Sequence, residues 1–187
     1  MELTDSQLIE DSLSGDNTAF EMLVTRHISR IYNFIYRLTG EAEAAQDITQ
    51  DTFVKVWKNL KKYNKRFAFN TWIISIARNT TIDWLRKKRS YVFSDFDKED
   101  GDSFEDSLVD IEALPDEIFE RKEIEKTLQE ALTHISIEQK TILLMHLSES
   151  LTFEDISDIL KKPTNTVKST YRRGILKLRL YLQNAPK

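Results

Sequence analysis

The chain has 187 residues, 40% hydrophobic and 31% charged, with four Gly, three Pro, no Cys and a formal net charge of −4. That length holds one domain or two small ones with modest cores, and the missing cysteines exclude disulfides and thiolate chemistry. No apolar run reaches the roughly 20 residues of a membrane span, and no N-terminal stretch reads as a signal peptide, so a cytoplasmic location is expected. Scarce Gly and Pro, few hairpin signals and no alternating Val/Thr runs predict an all-α fold.

Thr4 with Gln7 three residues on predicts a short capped helix to Leu13, ended by Gly15. The next helix carries Phe20, Leu23, Val24, His27, Ile28, Ile31, Tyr32, Ile35 and Leu38 along one face and stops at Thr39-Gly40. His27 reads as a packed or hydrogen-bonded core histidine, because no other His or Cys lies at metal spacing. Glu41 to Leu60 predicts a third helix, with Ile48, Phe53, Val56, Trp57 and Leu60 available for packing. Asp47, Gln50 and Asp51 fall at i, i+3 and i+4 and project from one side of it. A charge cluster is usually a solvated helix face. Here no Lys or Arg stands three or four residues away on the side of Asp47 to neutralise it, which favours a basic partner.

The stretch from Lys61 to Arg89 interleaves aromatic rings with cations, the mixture that holds single-stranded nucleic acid: bases stack on rings, at roughly 1–3 kcal/mol each, and phosphates follow positive charge. Tyr63, Asn64, Lys65, Arg66, Phe67 and Phe69 lie in a segment without helical period, a loop with little reason to hide all its rings. From Asn70 a helical period returns through Trp72, Ile73, Ile76, Ala77, Trp84 and Leu85, leaving Arg78, Asn79, Asp83, Arg86 and Lys87 largely outside the apolar set. Trp72 reads mainly as a packing residue.

Periodicity disappears from Ser90 to Pro115. Between Asp95 and Glu117 eleven Asp/Glu stand against the single Lys98, while the rest of the chain has 26 basic and 20 acidic residues. Two mildly basic flanks joined by an acidic linker are therefore expected, with boundaries at 1–92, 93–116 and 117–187.

In the second flank Ile124, Leu128, Leu132 and Ile135 form a helical stripe, and Ser136 with Gln139 makes a capping box for the helix of Ile142, Leu143 and His146. Thr152 caps with Asp155, Lys161-Lys162-Pro163 makes a turn, and a helix from Thr164 follows: a helix-turn-helix. Val167, Tyr171, Ile175, Leu178 and Leu182 are its expected buried face, leaving Thr164, Asn165, Thr166, Lys168, Ser169, Arg172 and Arg173 for DNA. Short polar residues first and arginines after suit base edges near the start of the helix and phosphates beyond. An ordinary helical hairpin with a solvated basic face is the plainer alternative.

Leu38-Thr39-Gly40 followed by AAQDITQDTFVKVW and FNTWIISIARNTTIDWLRKKR resembles region 2 of the bacterial sigma-70 family, in its extracytoplasmic-function (ECF) group. The helix-turn-helix resembles region 4, with Asn165 where the family usually has Gly and Thr170 where it has Arg. Gln46 stands where Glu is common. The resemblance implies a non-enzymatic initiation factor without catalytic residues, metal or cofactor, monomeric when free. Asp47, Gln50 and Asp51 would dock on the beta-prime clamp helices of core RNA polymerase, with the beta flap as a further contact. Tyr63 to Phe69 would capture an unstacked non-template base, and Arg78, Asn79, Arg86 and Lys87 would line the strand's path. The linker would thread through polymerase, region 4 would bind the upstream duplex element, and Thr170 would mark a lost basic contact. An anti-sigma factor belongs among the implied partners. Two rivals remain. A free-standing helix-turn-helix regulator leaves the acidic patch and the basic aromatic loop unused, and a metal-dependent nuclease needs carboxylates facing one cavity.

Overall fold

The computed structural model describes residues 3–94, 124 and 126–184. Apart from residues 93 and 94, the expected acidic linker lies outside the described residues. Every regular element among those described is helical.

Helix α1 (Asp5–Leu13) has the reciprocal cap that its sequence implies: the Gln7 N–H donates to Thr4 Oγ1 (3.3 Å) and the Thr4 N–H to Gln7 Oε1 (2.8 Å). Helix α2 (Asn17–Thr39) starts on Asp16, which accepts from the N–H groups of Thr18 and Ala19. It ends at Gly40, whose φ of 77° is open to glycine without a Cβ penalty. Helix α3 (Ala42–Asn59) runs into a single 3₁₀ turn, Leu60–Lys62, and helix α4 (Phe69–Ser94) follows the loop. The fading of apolar period at Ser90 does not end α4. Its backbone stays helical through Ser94.

Leu23, Ile31 and Ile35 of α2 meet Leu8 and Ile9 of α1, Ile48 of α3 and Ile73 and Ile74 of α4 in a sealed core. Removing each such side chain from water contributes about 1.5–3 kcal/mol. His27 is buried, with Nε2 2.9 Å from Asp5 Oδ2, so it ties α2 to the start of α1. The expected face of α2 is slightly rotated. Ile28 is 42% exposed and Phe34, outside the apolar set, is sealed at 1%.

In the second half, residues 126–133 form α5, and α6 (Ile137–Leu147) starts from the Ser136–Gln139 capping box. Helix α7 (Phe153–Leu160) starts from Thr152 and Asp155, and α8 (Thr164–Asn184) follows after Lys161 reverses the chain with φ 52°. The buried apolar side chains form one contiguous cluster through both halves, which meet where α2 faces α6.

Glu149, just after α6, is 5% exposed at that meeting, with Oε2 2.5 Å from Arg30 Nε. Burial outweighs its hydrogen bond to Arg30 and the charges of Arg30 and Arg37, and pushes the carboxyl above its ordinary 4.5. A raised folded-state value means that its contribution to stability is fully present below about 4.5 and lost as pH rises through the raised value. Glu149→Gln should therefore gain on wild type in thermal melts as pH climbs from 4.5 toward neutrality. A melting-temperature difference that stays flat across that range would contradict this.

Candidate nucleic-acid and polymerase interface

Asp47, Gln50 and Asp51 all lie on the exposed face of α3, and neither carboxylate pairs with a described cation. The nearest sequence candidate to neutralise Asp51 is Lys55, four residues on, but its Nζ donates instead to Thr80 Oγ1 on α4 (3.0 Å). The patch is thus left as uncompensated negative charge. Toward the end of α3, Trp57 departs from its expected packing role: it is 46% exposed, with one edge on Phe20 at 4.6 Å.

The loop before α4 is more constrained than its sequence suggests. Tyr63 Oη donates to the Phe67 carbonyl (2.6 Å), Asn64 Oδ1 accepts from the Arg66 N–H (3.0 Å), and Lys65 pairs with Glu10 on α1. Phe69 is 3% exposed, held among His27, Tyr63 and Trp72 with ring centroids 5.2, 5.7 and 5.8 Å away. Its expected role in base capture is incompatible with that burial: it is the hydrophobic anchor that seats the loop. Phe67, at 39%, is the ring the loop leaves open.

A cleft of about 320 Å³ opens between α3 and α4, lined by Lys55, Asn59, Lys62, Trp72, Ile76, Asn79 and Thr80. Of the residues expected to meet the melted strand, only Asn79 lines it. The signal that could have found the others is two matching stripes, Lys55/Asn59/Lys62 and Trp72/Ile76/Asn79, each at i, i+4, i+7. Trp72 is half-buried, so the packing reading and a ligand-facing reading apply to the same ring. Beside it Arg78 is half-buried, its Nη1 donating to Asn79 Oδ1 (2.9 Å) and its Nε buried without a partner. Burial pushes this guanidinium down from its ordinary value, against the pull of Asp83 and Glu138. Arg86 pairs with Asp83 and Lys87 is exposed.

In the second half, Val167, Thr170 and Gly174 seat α8 inward, while Tyr171, Ile175 and Leu178 are half-buried. Leu182, expected in that buried face, is 50% exposed because it falls near the end of α8, past its packing partners. Thr170 is 4% exposed, so it does not mark a lost basic contact on the DNA side; its Oγ1 accepts from Arg173 Nη2 (3.1 Å). Asn165, Thr166, Ser169, Arg172 and Arg173 face outward, with Thr164 and Lys168 partly covered. Lys168 lies 3.7 Å from Glu154 and 5.8 Å over the Phe153 ring. The turn is fixed by Ser157 Oγ donating to the Lys162 carbonyl (2.6 Å) and by Lys162 pairing with Glu138 (2.5 Å).

A helix-turn-helix half set against a helical half with an acidic face and a cationic, aromatic-walled cleft defines a two-part DNA-binding protein. Residues 23–91 match the Sigma-70 region 2 family and residues 125–178 the Sigma-70, region 4 family. The RNA polymerase sigma-H factor of Pseudomonas aeruginosa is 34% identical over 173 residues, covering 91% of this chain and 89% of that protein. The ECF RNA polymerase sigma factor SigW of Bacillus subtilis is 28% identical over 186 residues, covering 98% and 100%. Among solved structures, CnrH in complex with the cytosolic domain of CnrY aligns with a TM-score of 0.70 at 19% identity, covering 97% of this chain and 99% of that one. RpoE of Bartonella quintana in complex with the anti-sigma factor NepR aligns at 0.69 and 20%, covering 89% and 98%. At such identity the likeness bears on the fold.

The chain belongs to the sigma-70 family of RNA polymerase sigma factors, in its ECF group. Its activity is that of a non-catalytic initiation factor directing promoter-specific transcription. No described helix is long and apolar enough to cross a membrane.

Proposed function

We propose that this sigma factor docks on core RNA polymerase through Asp47, Gln50 and Asp51, reads duplex promoter DNA with the outward face of α8, and holds a melted non-template base in the cleft between α3 and α4. The observation that carries the reading is the cleft itself. It combines an aromatic wall, Trp72, with the amide of Asn79 and the cations Lys55 and Lys62, the pairing of stacking surface and phosphate charge that single strands require. A base held there is better bound unstacked than in duplex, so the cleft favours the melted state by its difference in affinity. Phe67 and Arg66 at the loop, with Arg78 and Lys87 on α4, extend the cationic and aromatic surface toward the rest of the strand.

On α8, Asn165, Thr166 and Ser169 would meet base edges, and Arg172, which pairs with no described carboxylate, would meet phosphate. Arg172→Ala in the holoenzyme should weaken promoter binding nearly uniformly across sequences and flatten the salt dependence by about one unit of slope. A change confined to one base position would reassign that arginine. Domain limits of 1–92 and 117–187 are part of the proposal, and RpoE of Bartonella quintana, solved in complex with the anti-sigma factor NepR, supports a partner of that kind here.

Run-off transcription with purified core polymerase and genomic fragments tests the reading. Discrete starts that need this chain, and that weaken when Trp72 is replaced by Ala in a variant that melts normally, support it. A chain that never binds core yet shifts duplex DNA alone would make it a free-standing helix-turn-helix regulator.

A further inference from the structure

Tyr63 stands between the two rings that the melted strand would meet, and both ends of its side chain are engaged. Its ring lies 5.2 Å from that of Trp72, which walls the cleft, and 5.7 Å edge-on from that of Phe69, the anchor of the loop. Its hydroxyl donates to the Phe67 carbonyl at 2.6 Å. One side chain therefore runs from the wall of the cleft to the open ring of the loop.

The other bonds of the loop shape it without tying it to that wall. The Phe67 N–H donates to the Asn64 carbonyl (3.2 Å) and the Arg66 N–H to Asn64 Oδ1 (3.0 Å), both within the turn. Lys65 pairs with Glu10 on α1, but both side chains are exposed and such a pair contributes little. Burial, aided by Asp5 and opposed by Lys65, pushes the Tyr63 hydroxyl above its ordinary 10.0, so it stays protonated and donates at neutral pH.

We propose that Tyr63 is a positioning residue for promoter melting: braced on Trp72 and bonded to the Phe67 carbonyl, it sets the open Phe67 ring at a fixed distance from the cleft, so that two nearby non-template bases are held together, one in the cleft and one on Phe67. This deepens the base-holding reading above and rests on it. In place of the direct contact that its loop position suggests, Tyr63 acts through the two rings. Phe67 is 39% exposed, and burial against the neighbouring rings would favour its turning inward. The hydroxyl bond to its carbonyl opposes that turn. A ring held open before the strand arrives needs no ordering when a base stacks on it, and such preorganisation raises affinity. A strand rises about 3.4 Å per stacked nucleotide, so the reach of one tyrosine sets the two bases within a few nucleotides of each other. Two held bases favour the melted state more than one does.

Binding of the holoenzyme to a single-stranded oligonucleotide tests this. The oligonucleotide carries the non-template sequence just upstream of a start mapped by run-off transcription, with each nucleotide in turn made abasic. In wild type, base loss at two positions within a few nucleotides should each weaken binding roughly five- to 150-fold. Trp72→Ala should become indifferent to base loss at one of them, and Phe67→Ala at the other. Tyr63→Phe keeps the ring and removes only the hydroxyl, so its melting temperature should stay within about 4 °C of wild type. It should weaken binding of the intact oligonucleotide about two- to twelvefold. That loss should appear as reduced sensitivity at the Phe67 position alone, and Tyr63→Phe should cost nothing further in a Phe67→Ala background. Wild-type binding by Tyr63→Phe, an equal loss at both positions as a loosened loop would give, or full additivity with Phe67→Ala would each overturn the positioning role. A single sensitive position that depends on Trp72 would keep the cleft and remove Phe67 and Tyr63 from the account. Discrete transcription starts with no sensitive position at all would instead sink the base-holding reading itself, and this role with it.

Discussion

Reversing both carboxylates of α3, Asp47→Arg with Asp51→Arg, should abolish binding to core RNA polymerase while leaving the chain folded. Both side chains are exposed and neither has a described cationic partner, so the substitutions break no internal pair. Lys55, the one cation at helical spacing from Asp51, is occupied by Thr80. The cost to stability should therefore stay within about 0.5 kcal/mol, the usual range for surface changes. Binding is different: close charge pairs across an interface couple by roughly 1.5–7 kcal/mol, and reversal replaces attraction by repulsion at two neighbouring points. About 4 kcal/mol lost is a factor near a thousand in affinity. Titration of labelled chain with core polymerase, beside a thermal melt, measures both. Unchanged affinity in the double variant would remove α3 from the docking surface, whereas Gln50→Ala, which deletes only a neutral contact, should cost far less.

What the sequence made legible was local. The three capping boxes, Thr4 with Gln7, Ser136 with Gln139 and Thr152 with Asp155, form within four residues and depend on nothing distant, and all three are present. The end of α2 at Gly40 is of the same kind. The helix-turn-helix followed because two such starts bracket a turn. Side chains whose fate depends on a partner element were less readable. Phe67 and Phe69 are the same residue type two positions apart, one in the loop and one opening α4, and only the arrival of His27 and Trp72 decides that Phe69 is the anchor. Thr170 looked like a vacancy on the DNA side when judged against a family pattern, yet the rotation of α8 on α6 turns it inward. Lys55, Asn59 and Lys62 become a cleft wall only because α4 sets Trp72 and Asn79 opposite them. Glu149 shows the limit most clearly: within Ser148-Glu149-Ser150 it reads as a polar turn, yet it is buried where Arg30, from the other half of the chain, meets it.

Gly174 should prove the most size-sensitive position of the second half. Here α8 crosses α6 so closely that an added Cβ would lie 2.9 Å from Leu143 Cδ1 and 3.3 Å from Gln139 Cβ. For Gly174→Ala two effects of similar size oppose one another. Alanine gains about 1 kcal/mol in helix propensity, while the crowding falls mainly on a leucine methyl that can turn aside. The net change should be within about 1 kcal/mol, or roughly 2–4 °C in a chain of this size. Gly174→Leu has no such balance. Its branch must enter the space of Leu143, which is itself 2% exposed, so either the core is overpacked, at typically 1–3 kcal/mol, or α8 is levered off its seat with further loss of burial. A fall of roughly 6–12 °C is expected if the loss reaches about 3 kcal/mol. The functional signature separates this from general misfolding. Arg172 and its neighbours point outward only because Val167, Thr170 and Gly174 seat the helix, so duplex promoter binding by the holoenzyme should collapse. Docking through α3 lies in the other half and should persist. If Gly174→Leu kept both its melting temperature and its promoter affinity, the close crossing of α6 and α8 would not be what orients the DNA-facing side chains, and their assignment would have to be rebuilt from another face of α8.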